Sequence, residues 1–138
     1  MRNSARSAAG IIVGPLLVLS LSGCGLGGPA HGPLSNAAAS VDLGFTSFSP
    51  AQVTVAAGEA VEWRNTSLIT HTVTDNPKRA KQSGDAMLPS GAQAFDSGDI
   101  PAGQVYRQIF NVPGTYRYLC THHESEGMIG TVVVKPAS

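Results

Sequence analysis

Charge is scarce in this chain. Only 13% of its 138 residues are charged, and nine Lys+Arg balance nine Asp+Glu to a formal charge of zero. That excludes a long disordered acidic or basic protein. No basic stripe stands out, so nucleic acid is excluded as a partner. Cysteine is nearly absent, and two cysteines cannot build a disulfide scaffold. No apolar run reaches the twenty or so residues that a bilayer-spanning helix needs. No stretch has a convincing 3.6-residue apolar period, although Lys78 to Met87 has room for a short helical turn. The length suits one ordinary domain and not two large ones.

What is present begins with an address. Arg2 and Arg6 precede a fourteen-residue apolar run, Ala8 to Leu21. That length fits the centre of a secretory signal peptide. The run ends in Leu21-Ser22-Gly23-Cys24, which resembles the bacterial lipobox. The resemblance implies cleavage after residue 23 and a lipid on Cys24. Cys120 is then the only thiol left, so no internal disulfide is possible. Losing Arg2 and Arg6 leaves seven basic against nine acidic residues, a net charge of −2. Two or more acyl chains anchor far more firmly than one.

Residues 24–40 read as the lipidated cysteine and a Gly/Pro-rich tether. As a flexible coil it spans about 20–24 Å. His31 lies in it and reads as a solvated linker histidine, with weak metal capture as the alternative.

Residues 41–138 read as an all-β domain. Sixteen Gly and nine Pro favour many turns and short strands. Val41, Leu43 and Phe45 fall on one strand face; so do Val53 and Val55, Val61 and Trp63, and Tyr116, Tyr118 and Cys120. Glu62, Arg64 and Arg117 take the opposite faces. Ile69, His71 and Val73 share the face of a further strand. Ile129 to Val134 is β-branched and closes the domain. Seven or eight short strands at this spacing predict a β-sandwich. Residues 76–93 read as a long loop carrying Lys78, Arg79 and Lys81, either solvated or a docking patch for a partner.

One constellation carries chemistry. Cys120 ends a strand, His123 follows three positions later, and Met128 five after that, between Gly127 and Gly130. His71 lies far upstream. Singly, each has a structural reading: a buried Cys as a small hydrophobe, a Met as packing, a His as a hydrogen-bonded core residue. Together they offer two imidazoles, a thiolate and a thioether, the donor set of blue copper sites. A Cys-His nucleophile leaves Met128 and His71 without roles. Zinc is poorly served by a thioether. A binuclear copper site needs a second cysteine in the loop, and a multicopper enzyme needs further domains.

The pattern Gly114, Tyr116, Tyr118, Cys120, His123, Met128, Gly130 resembles that of small cupredoxins of the plastocyanin and pseudoazurin type. Upstream, Gly58, Val61, Trp63, Asn65 and His71 match as well, as does Phe95-Asp96-Ser97-Gly98 with Pro101-Ala102-Gly103. The resemblance implies a Greek-key β-sandwich holding one type 1 copper ion. Its ligands would be His71, Cys120 and His123, with Met128 as the weaker axial one. It implies an electron carrier rather than an enzyme, docking redox proteins such as a membrane oxidase, a reductase or a cytochrome near His123. With the lipobox, it implies a monomer held by lipid to a bacterial membrane, outside the cytoplasm. Copper delivery in extracytoplasmic copper homeostasis is the alternative use of the same ligands.

Two positions depart from the family pattern. Thr72 stands where many relatives have Asn, so a different hydrogen bond must hold the cysteine loop. His122 stands where many have Pro, and is expected as a solvent-facing neighbour of the site or as an alternative ligand or exit edge. Glu124 and Glu126 are expected as solvated loop acids, or as charges that steer a basic partner.

Overall fold

The computed structural model describes residues 37–138. The expected signal peptide, Cys24, His31 and nearly all of the expected tether lie outside the described residues. Among the described residues, no helix is long and apolar enough to cross a membrane.

Among the described residues, seven strands form two sheets. They are β1 (Ala39–Leu43), β2 (Phe48–Ser49), β3 (Gln52–Ala56), β4 (Glu59–Asn65), β5 (Val105–Phe110), β6 (Gly114–Leu119) and β7 (Ile129–Lys135). One sheet has the order β2-β1-β4-β5, the other β3-β7-β6. β1 runs parallel to β4, and β3 parallel to β7; the remaining pairs are antiparallel. The all-β sandwich expected from the strand spacing is what forms, and its first strand begins at Ala39, two residues before Val41.

Alternation explains which faces meet. Val41, Leu43, Val53, Val55, Val61, Trp63, Tyr116, Tyr118, Val132 and Val134 point inward and are buried together. Trp63 is the centre of this core. Its ring lies edge-on to Tyr118 at 5.3 Å and near Phe95 at 5.9 Å and Phe110 at 6.2 Å. Such aromatic pairs add about 0.5–1.5 kcal/mol each beyond the area they bury.

Three expectations need correction. Phe45 is not on the buried face: β1 stops at Leu43, the chain turns at Gly44, and Phe45 is 67% exposed. Glu62 is buried despite its outward phase, where its carboxylate pairs with Arg64. His71 is not on a strand. Residues 66–104 form an irregular crossover, held to itself by isolated bridges of His71 with Ile100 and of Thr74 with Asp96, and pinned to β6 by those of Thr74 with Leu119 and of Met87 with Arg117.

The two ends of the sandwich differ. β4 and β6 point toward one end, where Asn65, Leu119 and Cys120 lie, and β7 leaves from it. Ala39, Gly58, Gly114 and Lys135 mark the opposite end, as the register of the strand pairs requires. The chain enters and leaves the domain at this second end.

Candidate metal centre

Four local structures deliver the four predicted side chains. Cys120 follows the last residue of β6 and is fully buried. A ring of backbone hydrogen bonds then closes the loop on itself. The Cys120 N–H donates to the Met128 carbonyl, the His123 N–H to the Cys120 carbonyl, and the Met128 N–H to the His123 carbonyl, each at 3.1 Å. The loop reverses through a short 3-10 turn, Glu124–Glu126, and Gly127 ends it at φ +78°, a left-handed conformation that glycine adopts without steric cost. Met128 is fully buried in the same core cluster as Cys120. Gly130 lets the strands close: a Cβ there would lie 2.3 Å from Cζ of Tyr118.

His71 arrives from the crossover. Its N–H donates to the Ile100 carbonyl at 3.2 Å, and its carbonyl accepts from Ile100 at 2.7 Å. Its Nδ1 then faces the Cys120 Sγ at 3.7 Å, and the Nδ1 of His123 faces the same sulfur at 3.4 Å. The three donor atoms lie within 4.8 Å of one another. Nitrogen and sulfur bound at about 2.0–2.3 Å to one ion, the lengths usual for imidazole and thiolate, stand roughly 3.5–3.7 Å apart when their bonds open by 110–120°. The observed separations suit one shared ion. His71 and Cys120 are buried, while His123 is partly exposed.

Burial is the main reason that His71 sits below its ordinary pKa. The imidazoles of His123 and His122 act in the same direction, and the Gly44 backbone acts weakly against them. A neutral imidazole keeps a lone pair for a metal.

Thr72 fills the role expected of a substitute for Asn. Its backbone N–H points at the Cys120 Sγ at 3.4 Å. Its Oγ1 accepts the Thr121 N–H at 2.8 Å and bonds the Thr121 hydroxyl at 3.0 Å. One residue thus ties the His71 segment to the Cys120 loop.

His122 faces solvent. Its Nε2 meets Asp99 Oδ1 at 2.8 Å, and it takes no part in the donor cluster. Glu124 corrects the expectation of a surface acid. It is buried, and its Oε1 accepts the backbone N–H groups of Lys81 at 2.7 Å and Gln82 at 3.0 Å. It is therefore unavailable to steer a partner; Glu126 remains exposed. The 76–93 segment is correspondingly no free loop. Its Pro77–Arg79 turn is followed by the Glu124 clamp, and Met87 pairs with Arg117 beside β6.

Ser67 escaped sequence reasoning. Its hydroxyl lies 2.9 Å from His71 Nε2 and 2.7 Å from Asn65 Oδ1. Polar residues after a strand read simply as a turn, and nothing in Asn65-Thr66-Ser67 marks which side chain folds inward.

Comparison with known proteins agrees with the geometry. The family described as "Copper binding proteins, plastocyanin/azurin family" matches residues 35–135. Plastocyanin of Scenedesmus fuscus is 34% identical over 99 residues, covering 68% of this chain and 92% of its own. Plastocyanin of Synechococcus sp. (strain JA-2-3B'a(2-13)) is 32% identical over 136 residues, covering 86% and 90%. Among solved structures, an amicyanin variant in its Cu(I) form is 28% identical with a TM-score of 0.56, covering 74% of this chain and 86% of that one. An oxidised amicyanin variant is 29% identical with a TM-score of 0.55, covering 72% and 83%. A buried Cys120 faced by two imidazole nitrogens, on a sandwich matched over nearly its whole length, places this chain in the plastocyanin/azurin family: it is a cupredoxin, a copper protein that carries electrons and is not an enzyme.

Proposed function

We propose that the chain is a membrane-tethered one-electron carrier outside the cytoplasm, with His71, Cys120 and His123 as copper ligands and Met128 as the weaker axial one. The observation that carries the ligand set is the convergence of both Nδ1 atoms on one buried sulfur. Bound copper supplies the one-electron Cu(I)/Cu(II) couple. Softness fits: thiolate and thioether suit Cu(I), and imidazole suits both states.

The chain's own residues do the rest. The backbone ring through Cys120, His123 and Met128 holds the loop in one shape, so its ligands need move little when an electron passes. The Thr72 N–H directed at Sγ stabilises negative charge on the sulfur. His123, the partly exposed member of the donor set, is the edge through which an electron leaves to a docked redox protein. Transient redox interfaces of this kind bury under about 1,200 Å².

The tether rests on Leu21-Ser22-Gly23-Cys24 after a fourteen-residue apolar run.

Copper(II) loading should give an intense visible thiolate-to-copper absorption that vanishes in Cys120→Ser. A colourless, fully loaded protein overturns the type 1 assignment. Reversible reduction without loss of copper separates a carrier from a delivery protein. Cys24→Ser should move the protein from the membrane to the soluble fraction; unchanged membrane retention overturns the lipid anchor.

A further inference from the structure

The Asn65 side chain has only one orientation that satisfies its neighbours. Two carbonyls, of Ile69 at 2.7 Å and Ile100 at 2.8 Å, face one end of its amide. Carbonyls only accept, so that end is the NH2 group. Its Oδ1 therefore faces Ser67, where it accepts the Ser67 N–H at 3.0 Å and meets the Ser67 hydroxyl at 2.7 Å. A serine hydroxyl has one proton. Oδ1 is the shortest contact available to it, against 3.2 Å to the Ile69 carbonyl. With its proton given to Asn65, the Ser67 oxygen offers a lone pair to His71 Nε2 at 2.9 Å. Nε2 must then carry the ring proton, which leaves Nδ1 as the unprotonated nitrogen, the one facing Cys120.

We propose that Ser67 is a positioning residue for His71: Asn65 orients the Ser67 hydroxyl, and that hydroxyl fixes the imidazole in the Nε2–H tautomer with Nδ1 presented to copper. This rests on reading His71 as a copper ligand. The relay is rigid at its base. The Ile100 carbonyl accepts from both the Asn65 side chain and the His71 backbone, so the two ends of the relay share one anchor. Partners that hold the second nitrogen of a ligating histidine typically contribute 10–100-fold to metal affinity.

The test compares the whole chain with Ser67→Ala and Ser67→Thr. Nitrogen-15 NMR of the copper-free protein reports the His71 tautomer directly, and the Cu(I) protein reports how fast the Nε2 proton exchanges with solvent. The wild type should show the Nε2–H tautomer and a slowly exchanging ring proton. Ser67→Ala should mix the tautomers, speed that exchange at least tenfold and weaken copper binding about 10–100-fold. Ser67→Thr, which keeps the hydroxyl, should restore all three. An unmixed tautomer and unchanged exchange in Ser67→Ala would overturn the proposal and assign the role to the Gly44 backbone, which also acts on this ring. The copper-free measurement does not depend on the electron-carrier reading. A fixed tautomer in a protein that gives no visible copper band would sink that reading and leave the Ser67 relay standing.

Discussion

Thr72 Oγ1 accepts the backbone N–H of Thr121 at 2.8 Å, 49 residues further along the chain. The isolated bridge of Thr74 with Leu119 already joins the His71 and Cys120 segments, and this bond carries the tie beyond Cys120 into the loop. Thr72→Val keeps the shape and removes the acceptor. The Thr121 N–H then loses its protein partner, which costs about 1–3 kcal/mol. Denaturant titration should show that loss, with most of it recovered in Thr72→Ser. Equal stability of all three proteins would mean that the bond contributes nothing.

Glu124 acts at the other side of the loop. Its Oε1 gathers the N–H groups of Lys81 and Gln82, so the residue after His123 holds the Lys81 segment in place. Glu124→Ala strands both donors and should cost about 2–4 kcal/mol. Glu124→Gln keeps an acceptor oxygen and should cost less than half of that. Amide hydrogen exchange at Lys81 and Gln82 is the specific readout: at least tenfold faster in the alanine variant, little changed in the glutamine one.

His122 gives the contrasting case. It lies beside His123 in the chain, yet it pairs with the exposed Asp99. Exposed pairs contribute about 0–1 kcal/mol. His122→Ala should leave the visible copper absorption nearly intact and stability within about 1 kcal/mol. Loss of the colour would move His122 into the ligand set.

The strands and the copper pattern are legible in the sequence for the same reason. Both depend on short, regular spacing: alternation buries Val61 and Trp63, and the Cys120–His123–Met128 interval fits one tight loop. Contact between segments with no period leaves no such mark. The alternation of Ile69, His71 and Val73 predicts a strand, but Thr72 and Thr74 are buried too, and only isolated bridges fix the crossover. Glu124 and Glu126 are the same residue type two apart. The first is buried because two backbone donors happen to arrive from 42 and 43 residues away.

Asp75 carries a pH dependence of definite sign. It is fully buried; Oδ1 accepts the Phe95 N–H at 2.7 Å, and Oδ2 has no hydrogen-bond partner. Burial raises its pKa from 3.8 to about 6, against the opposing effect of the backbone hydrogen bonds. Below about pH 4 the carboxyl is protonated in both folded and unfolded chains. Between about 4 and 6 the unfolded chain ionises first and binds fewer protons than the folded one, so stability falls as pH rises. Above about 6 the loss is complete, and it amounts to about 3 kcal/mol at most. Asp75→Asn keeps an oxygen for the Phe95 N–H and removes the titration. The stability difference between variant and parent, measured by denaturant titration from about pH 3.5 to about 7.5, cancels the other titrating groups. It should be smallest at the acid end and shift in the variant's favour by about 1–3 kcal/mol as pH passes 6, then level off. A difference that stays flat through that window would mean that Asp75 is ionised in the folded protein throughout, its buried charge stabilised by something other than the Phe95 amide.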